Sequence, residues 1–211
     1  MTDFRTRLGR EIIVFDGGVG TYLYEKGVFI NTCFDELNLI NPDIVTEVHR
    51  DYVNAGADVI ETNTYGANQF KLAPHGLEKK VYDINRRGAE IAKAAVQDRA
   101  LVAGSVGPLG VPLEPLSALS YDEARDAFKE QVQGLFDGGV DLFVLETFGL
   151  AKELEQAIRA VKAVAPDLPI VAQFTVNDDG TLISGSTLES AVSEIARYEL
   201  DAVGLNCSIG P

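Results

Sequence analysis

Six short, mostly apolar runs punctuate the chain, at 12–15, 57–61, 101–105, 142–145, 170–174 and 202–205. They are apolar throughout rather than alternating, the pattern of strands covered on both faces of a parallel sheet. Helical spacing fills the intervals. Asn41-Pro42 provides an N-cap and a proline at the first helical position, Ile44, Val45, Val48, Tyr52 and Val53 follow on one face, and Gly56 stops the helix. A long helix is predicted over 77–97, with Val81, Ile84, Ala89, Ile91 and Ala92 as its apolar positions. Ser120 and Glu123 form a capping box for a helix that reaches about residue 137, where Gly138-Gly139 ends it. Further helices are predicted over 151–165 and 188–198, the second capped by Thr187. Residues 21–26 form a short helical turn, 27–39 are irregular, and a turn falls at 177–180.

Strand and helix alternate without a linker or low-complexity segment, so 1–211 reads as one α/β domain. Either a doubly wound sheet or part of a (βα)8 TIM-type barrel fits. Gly18-Val-Gly20 lacks the third glycine of a dinucleotide fingerprint. Polar groups at the ends of successive strands, rather than at one switch point, favour the barrel. At 211 residues the chain is short of the about 250 typical of a closed one. A net charge of −14 argues against nucleic acid or an anionic membrane as partner. Two distant cysteines suggest a reducing, cytoplasmic setting, and neither a signal peptide nor a membrane span is legible.

The chemistry gathers at strand ends. Cys207 follows the last run, between Asn206 and a polar, tight Ser-Ile-Gly-Pro segment; a small buried hydrophobe and a reactive thiol are equally compatible with that position. His49 lies inside an amphipathic helix and His75 in a turn, so no complete zinc site is spelled out. Asp16, before Gly17 and Gly18, and Glu146 end the first and fourth runs; two carboxylates at one mouth can hold an ammonium or act as acid and base. Glu61 is either a site residue or a salt-bridge partner, and Thr62, Asn63 and Thr64 either bind a ligand or satisfy loop backbone. No lysine stands at a strand end, which argues against a Schiff-base aldolase.

Asp16-Gly-Gly-Val-Gly-Thr, Asn41-Pro-Asp, Ala55-Gly-Ala-Asp-Val-Ile-Glu-Thr-Asn-Thr64, Gly104-Ser-Val-Gly-Pro, Glu146-Thr and Gly204-Leu-Asn-Cys207, in that order, resemble the homocysteine-binding domain of homocysteine S-methyltransferases. The resemblance covers essentially the whole chain. It implies a (βα)8 barrel, here with about its first six βα units, that transfers a methyl group to homocysteine and yields methionine. It implies that Cys207 is one of three thiolates on a zinc that lowers the substrate thiol's pKa. By the same resemblance Asp16 and Glu146 hold the substrate ammonium and the Gly17 and Gly18 amides its carboxylate, with Thr62, Asn63 and Asn206 also lining the site. The methyl donor, methyltetrahydrofolate or methylcobalamin, would come from another domain.

The other two thiolates belong to an adjacent cysteine pair that these 211 residues do not contain. The expectation is therefore a truncated barrel, with self-association or a further domain completing it. The alternative is a catalytically incomplete fragment that folds or binds a partner without methyl transfer, and an unrelated barrel lyase using Asp16 and Glu146 is a third reading.

Overall fold

A computed structural model describes residues 3–29 and 31–208; Ile209, Gly210 and Pro211, the end of the tight segment predicted after Cys207, lie outside the described residues. Five strands form one parallel sheet in the order of the chain: β1 (Val59–Glu61), β2 (Leu101–Val106), β3 (Leu142–Phe148), β4 (Ile170–Phe174) and β5 (Ala202–Leu205). Each strand pairs with its sequence neighbour, as in Val59 with Leu101 and Phe174 with Leu205.

The first predicted strand is corrected. Residues 12–15 run beside β1 but make a single parallel bridge, Phe15 to Val59. The Val14 N–H is taken by the Asp58 carboxylate at 2.9 Å, and its carbonyl accepts from both Asp58 and Val59. Ile12 is 88% exposed and Val14 49% exposed, and among the described residues no further strand pairs with this segment from its other side.

Ahead of β1 lie the one-turn α3 (Leu37–Ile40) and α4 (Pro42–Ala55), and between the strands run α6 (Val81–Val96), α7 (Tyr121–Asp137), α8 (Ala151–Val164) and α9 (Leu188–Ile195). Gly56 stops α4 at φ +102°, a left-handed position that costs glycine little. The Ser120–Glu123 capping box is present at α7, and the Thr187 side chain accepts from the Ser190 N–H at α9. Asn41 occupies the N-cap of α4 without donating or accepting through its side chain there. The helix predicted from 77 starts at Val81, and α9 ends at Ile195.

Alternate strand residues serve two cores. Ile60, Val102, Phe143, Leu145 and Ala172 pack against the helices with Phe128, Leu135 and Ile158. Val59, Leu101, Ala103, Leu142, Val144 and Val171 face the other way, onto Phe4 of the short helix α1 (Phe4–Arg7). Burial on both faces is why the runs read as continuous rather than alternating. Because the sheet is parallel, every strand presents its C-terminal end on the same side, opposite α1.

Candidate active site

A cavity of about 860 Å³ opens at those C-terminal ends. Asp16, Gly17, Gly18, Thr62, Asn63, Glu146, Asn206 and Cys207, the candidates from four separate segments of the sequence, all line it. Glu61, Ser105, Tyr65, Lys71 and Gln173 complete much of the wall.

Asp16 does not cap the turn that follows it. Its Oδ2 accepts the Glu61 backbone N–H at 3.1 Å, while Oδ1 is buried without a partner. Burial, reinforced by the charge of Glu146, pushes this carboxyl up to about 8. Glu61 is driven well above the usual carboxylate range by burial and by Glu146 and Asp16. Glu146 is raised by burial too, against hydrogen bonds from Ser105 and Asn206. Three carboxyls thus share one acidic wall, and no cation is ion-paired to them among the described residues. Once ionised, such a wall can accept an ammonium.

Space is tight where the chain enters this wall. A Cβ on Gly17 would sit 3.0 Å from the Tyr52 hydroxyl oxygen, and one on Gly20 would sit 3.3 Å from the Phe34 ring. Gly18 is the N-cap of α2 (Val19–Glu25), and its carbonyl accepts from the Tyr52 hydroxyl at 3.4 Å.

The opposite side is a clamp. The register of β3 on β4 shifts between Leu145 and Phe148, and Thr147 adopts φ +63°. A β-branched residue in the left-handed region is strained by about 1–3 kcal/mol, so the neighbourhood must hold it. Asn206 does so. Its Oδ1 accepts the Thr147 N–H at 2.9 Å, and its Nδ2 donates to Thr147 Oγ1 at 2.8 Å and to Glu146 Oε2 at 3.2 Å. Cys207 follows at φ +58°, exposed, with Sγ 3.7 Å from Thr147 Oγ1. The other Glu146 oxygen accepts from the Ser105 hydroxyl at 2.5 Å.

Thr62 and Asn63 line the cavity, but their side chains are largely engaged within the protein. Thr62 Oγ1 lies 2.6 Å from Thr64 Oγ1 and accepts the Ser105 N–H, while Asn63 Nδ2 donates to the Phe34 carbonyl at 2.7 Å. Sequence reasoning passed over Ser105, Tyr65, Lys71 and Gln173. Ser105 lay inside a noted motif, but its pairing with Glu146 arises only from the register of β2 on β3.

Zinc, which the sequence resemblance implies, does not fit the donors present. Cys207 is the one thiol at the cavity; Cys33 is buried in a separate apolar cluster with Ala67, Leu72 and Val81. His49 is buried in α4 with both ring nitrogens unpartnered, and His75 is exposed in a single turn of 3-10 helix. Among the described residues no three His, Cys, Asp or Glu side chains are grouped around a common metal position. A tetrahedral zinc site needs three or four ligands.

A parallel α/β sheet with an acidic, thiol-bearing cavity at its strand C-termini defines a small-molecule site of the kind barrel enzymes carry. The family model described as homocysteine S-methyltransferase matches residues 13–211, and the chain belongs to that family. Methionine synthases of Mycobacterium leprae (strain TN) and Mycobacterium tuberculosis (strain ATCC 25618 / H37Rv) are each 32% identical over 226 residues, covering 100% of this chain. The chain spans 19% of the length of these curated relatives. Among solved structures, the homocysteine methyltransferase MmuM from Escherichia coli in its metallated form superposes with a TM-score of 0.84 at 28% identity, covering 96% of this chain and 77% of that one. Its oxidized form gives 0.85 at the same identity, with coverages of 98% and 77%.

Proposed function

We propose that the chain is the homocysteine-binding part of an enzyme that transfers a methyl group to the homocysteine thiol, giving methionine. The observation that carries this reading is the meeting of Asp16, Glu146, Asn206 and Cys207 around one cavity at the strand C-termini. In it, Asp16 and Glu146 accept the substrate ammonium, whose arrival draws the proton off Asp16. The Gly17 and Gly18 amides meet the carboxylate. Asn206 holds Glu146 and Thr147 in place, which orients the acceptor side of the cavity beside Cys207. The methyl donor, methyltetrahydrofolate or methylcobalamin, is supplied by another domain. A TIM-type barrel extending past the five strands, assembled in the cytoplasm, is the architecture this reading favours.

A zinc held with further thiolates would supply the acid that ionises the substrate thiol. The donor set of the described residues does not hold that zinc by itself. That single thiol favours a second reading in part: the 211 residues bind homocysteine but do not turn it over alone. Calorimetric titration with L-homocysteine, alongside zinc analysis of the purified chain, tests both. Expected are binding that weakens about 10- to 100-fold in Asp16→Asn, as for loss of a charge-assisted hydrogen bond, and far less than one zinc per chain. No homocysteine binding would sink the proposal. One zinc per chain, lost in Cys207→Ala, would overturn the second reading.

A further inference from the structure

Of the charged residues lining the cavity, Asp16, Asp35, Glu61 and Glu146 are acidic and Lys71 alone is basic. Lys71 comes from α5 (Gln69–Leu72), a one-turn helix in the loop after β1, rather than from a strand end. Its ammonium lies 4.2 Å from the centroid of the Tyr65 ring, and Nζ makes no ion pair or hydrogen bond among the described residues. The carboxylates whose charges reach it are engaged elsewhere. Asp35 accepts the Gly66 N–H at 3.0 Å, Glu153 the Leu109 N–H at 2.7 Å, and Glu146 the Ser105 and Asn206 donors.

The side chain is nevertheless held in place. A Cβ on Gly110, at φ +79°, would sit 3.1 Å from Lys71 Cε and 3.3 Å from Cγ, and one on Gly66 would sit 3.6 Å from Cδ. On Gly107 a Cβ would fall 2.3 Å from the Tyr65 ring that carries the ammonium. Three glycines therefore leave the slot in which ring and lysine stem stack. Burial lowers the ammonium's pKa against the fields of Asp35, Glu153 and Glu146. A positioned, partly desolvated cation without a contacting anion is an incomplete pair.

We infer that Lys71 is the anion anchor of the cavity, a positioning residue that receives a carboxylate of the bound ligand. The inference rests on the proposed homocysteine-binding role and adds to the neutral Gly17 and Gly18 amides a charged partner for a carboxylate. The carboxylate has two sources, homocysteine itself or a carboxylate-bearing methyl donor presented to the cavity, for which betaine serves as the small probe.

Binding constants of the 211-residue chain and of Lys71→Met and Lys71→Arg separate them. The probes are L-homocysteine, 3-aminopropane-1-thiol, which is the same molecule without its carboxylate, and betaine added to homocysteine-saturated protein. Methionine keeps the apolar stem against Tyr65, and thermal melting checks that each variant is folded. If the carboxylate is homocysteine's, Lys71→Met weakens homocysteine about 10- to 100-fold, leaves 3-aminopropane-1-thiol unchanged, and Lys71→Arg restores most of the loss. If it is the donor's, the loss falls on betaine alone. Unchanged constants for all three probes in Lys71→Met, or an equal loss for both thiols, would overturn the anchor and leave the homocysteine reading standing. Failure of the unaltered chain to bind either carboxylate probe would overturn both.

Discussion

Asp16 is where the cost of the site is concentrated. Its folded-state pKa, about 8, lies above the ordinary 3.8, so between about pH 4 and pH 8 the folded chain retains a proton that the unfolded chain has lost. Stability therefore falls as pH rises through that window. Asp16→Asn is expected to flatten the fall and to raise the melting temperature at pH 8, read by thermal denaturation across pH; an unchanged profile would count against the buried carboxyl. Ligand binding carries the opposite requirement. Homocysteine affinity is expected to rise from pH 6 toward pH 8, with a proton released on binding at pH 7, visible as a dependence of the calorimetric heat on buffer ionisation enthalpy. The identities of Asp16, Glu146 and Cys207 were legible because each ends an apolar run. Lys71 was not, since a lysine in a loop helix carries no signal until Tyr65 and the glycines are seen around it.

At the scale of elements, the bulge of β3 is a strained feature held by a neighbouring strand. Asn206→Ala removes three hydrogen bonds to Glu146 and Thr147, and a loss of about 1–3 kcal/mol is expected in denaturant unfolding. Thr147→Gly should recover about 1 kcal/mol of that strain while displacing Glu146, so stability and homocysteine binding would move in opposite directions. Ser120→Ala, far from the cavity, should cost about 1 kcal/mol through the α7 cap and leave binding untouched. The five long helices and all five later strands were readable from caps, glycines and continuous apolar runs. The first strand was overcalled because Ile12 to Phe15 has strand composition, yet pairing depends on a neighbour that the run itself cannot reveal. The bulge was hidden for a related reason: Glu146-Thr147 looks like the end of a strand, and only the register of β4 shows that pairing resumes at Phe148.

At the scale of the molecule, the sheet has two lateral edges among the described residues, one at residues 12–15 and one at β5. Val203 and Leu205 of β5 are 46% and 48% exposed, and Ile12 and Val14 are exposed at the other edge. Apolar side chains beside unpaired backbone invite strand addition. Concentration-dependent association is expected in sedimentation velocity, reduced by Val203→Lys; a monodisperse monomer over a wide concentration range would contradict it. The sequential strand order has a further consequence, for the nascent chain on the ribosome. Each strand pairs with the one synthesised just before it, so the sheet can grow in the direction of translation without waiting for a distant partner. The cavity cannot. Its lining runs from Ile13 to Cys207, so a ribosome stalled before β5 would display a largely assembled scaffold whose pocket still lacks Asn206 and Cys207, and the thiol side of the pocket would form after the carboxylate wall.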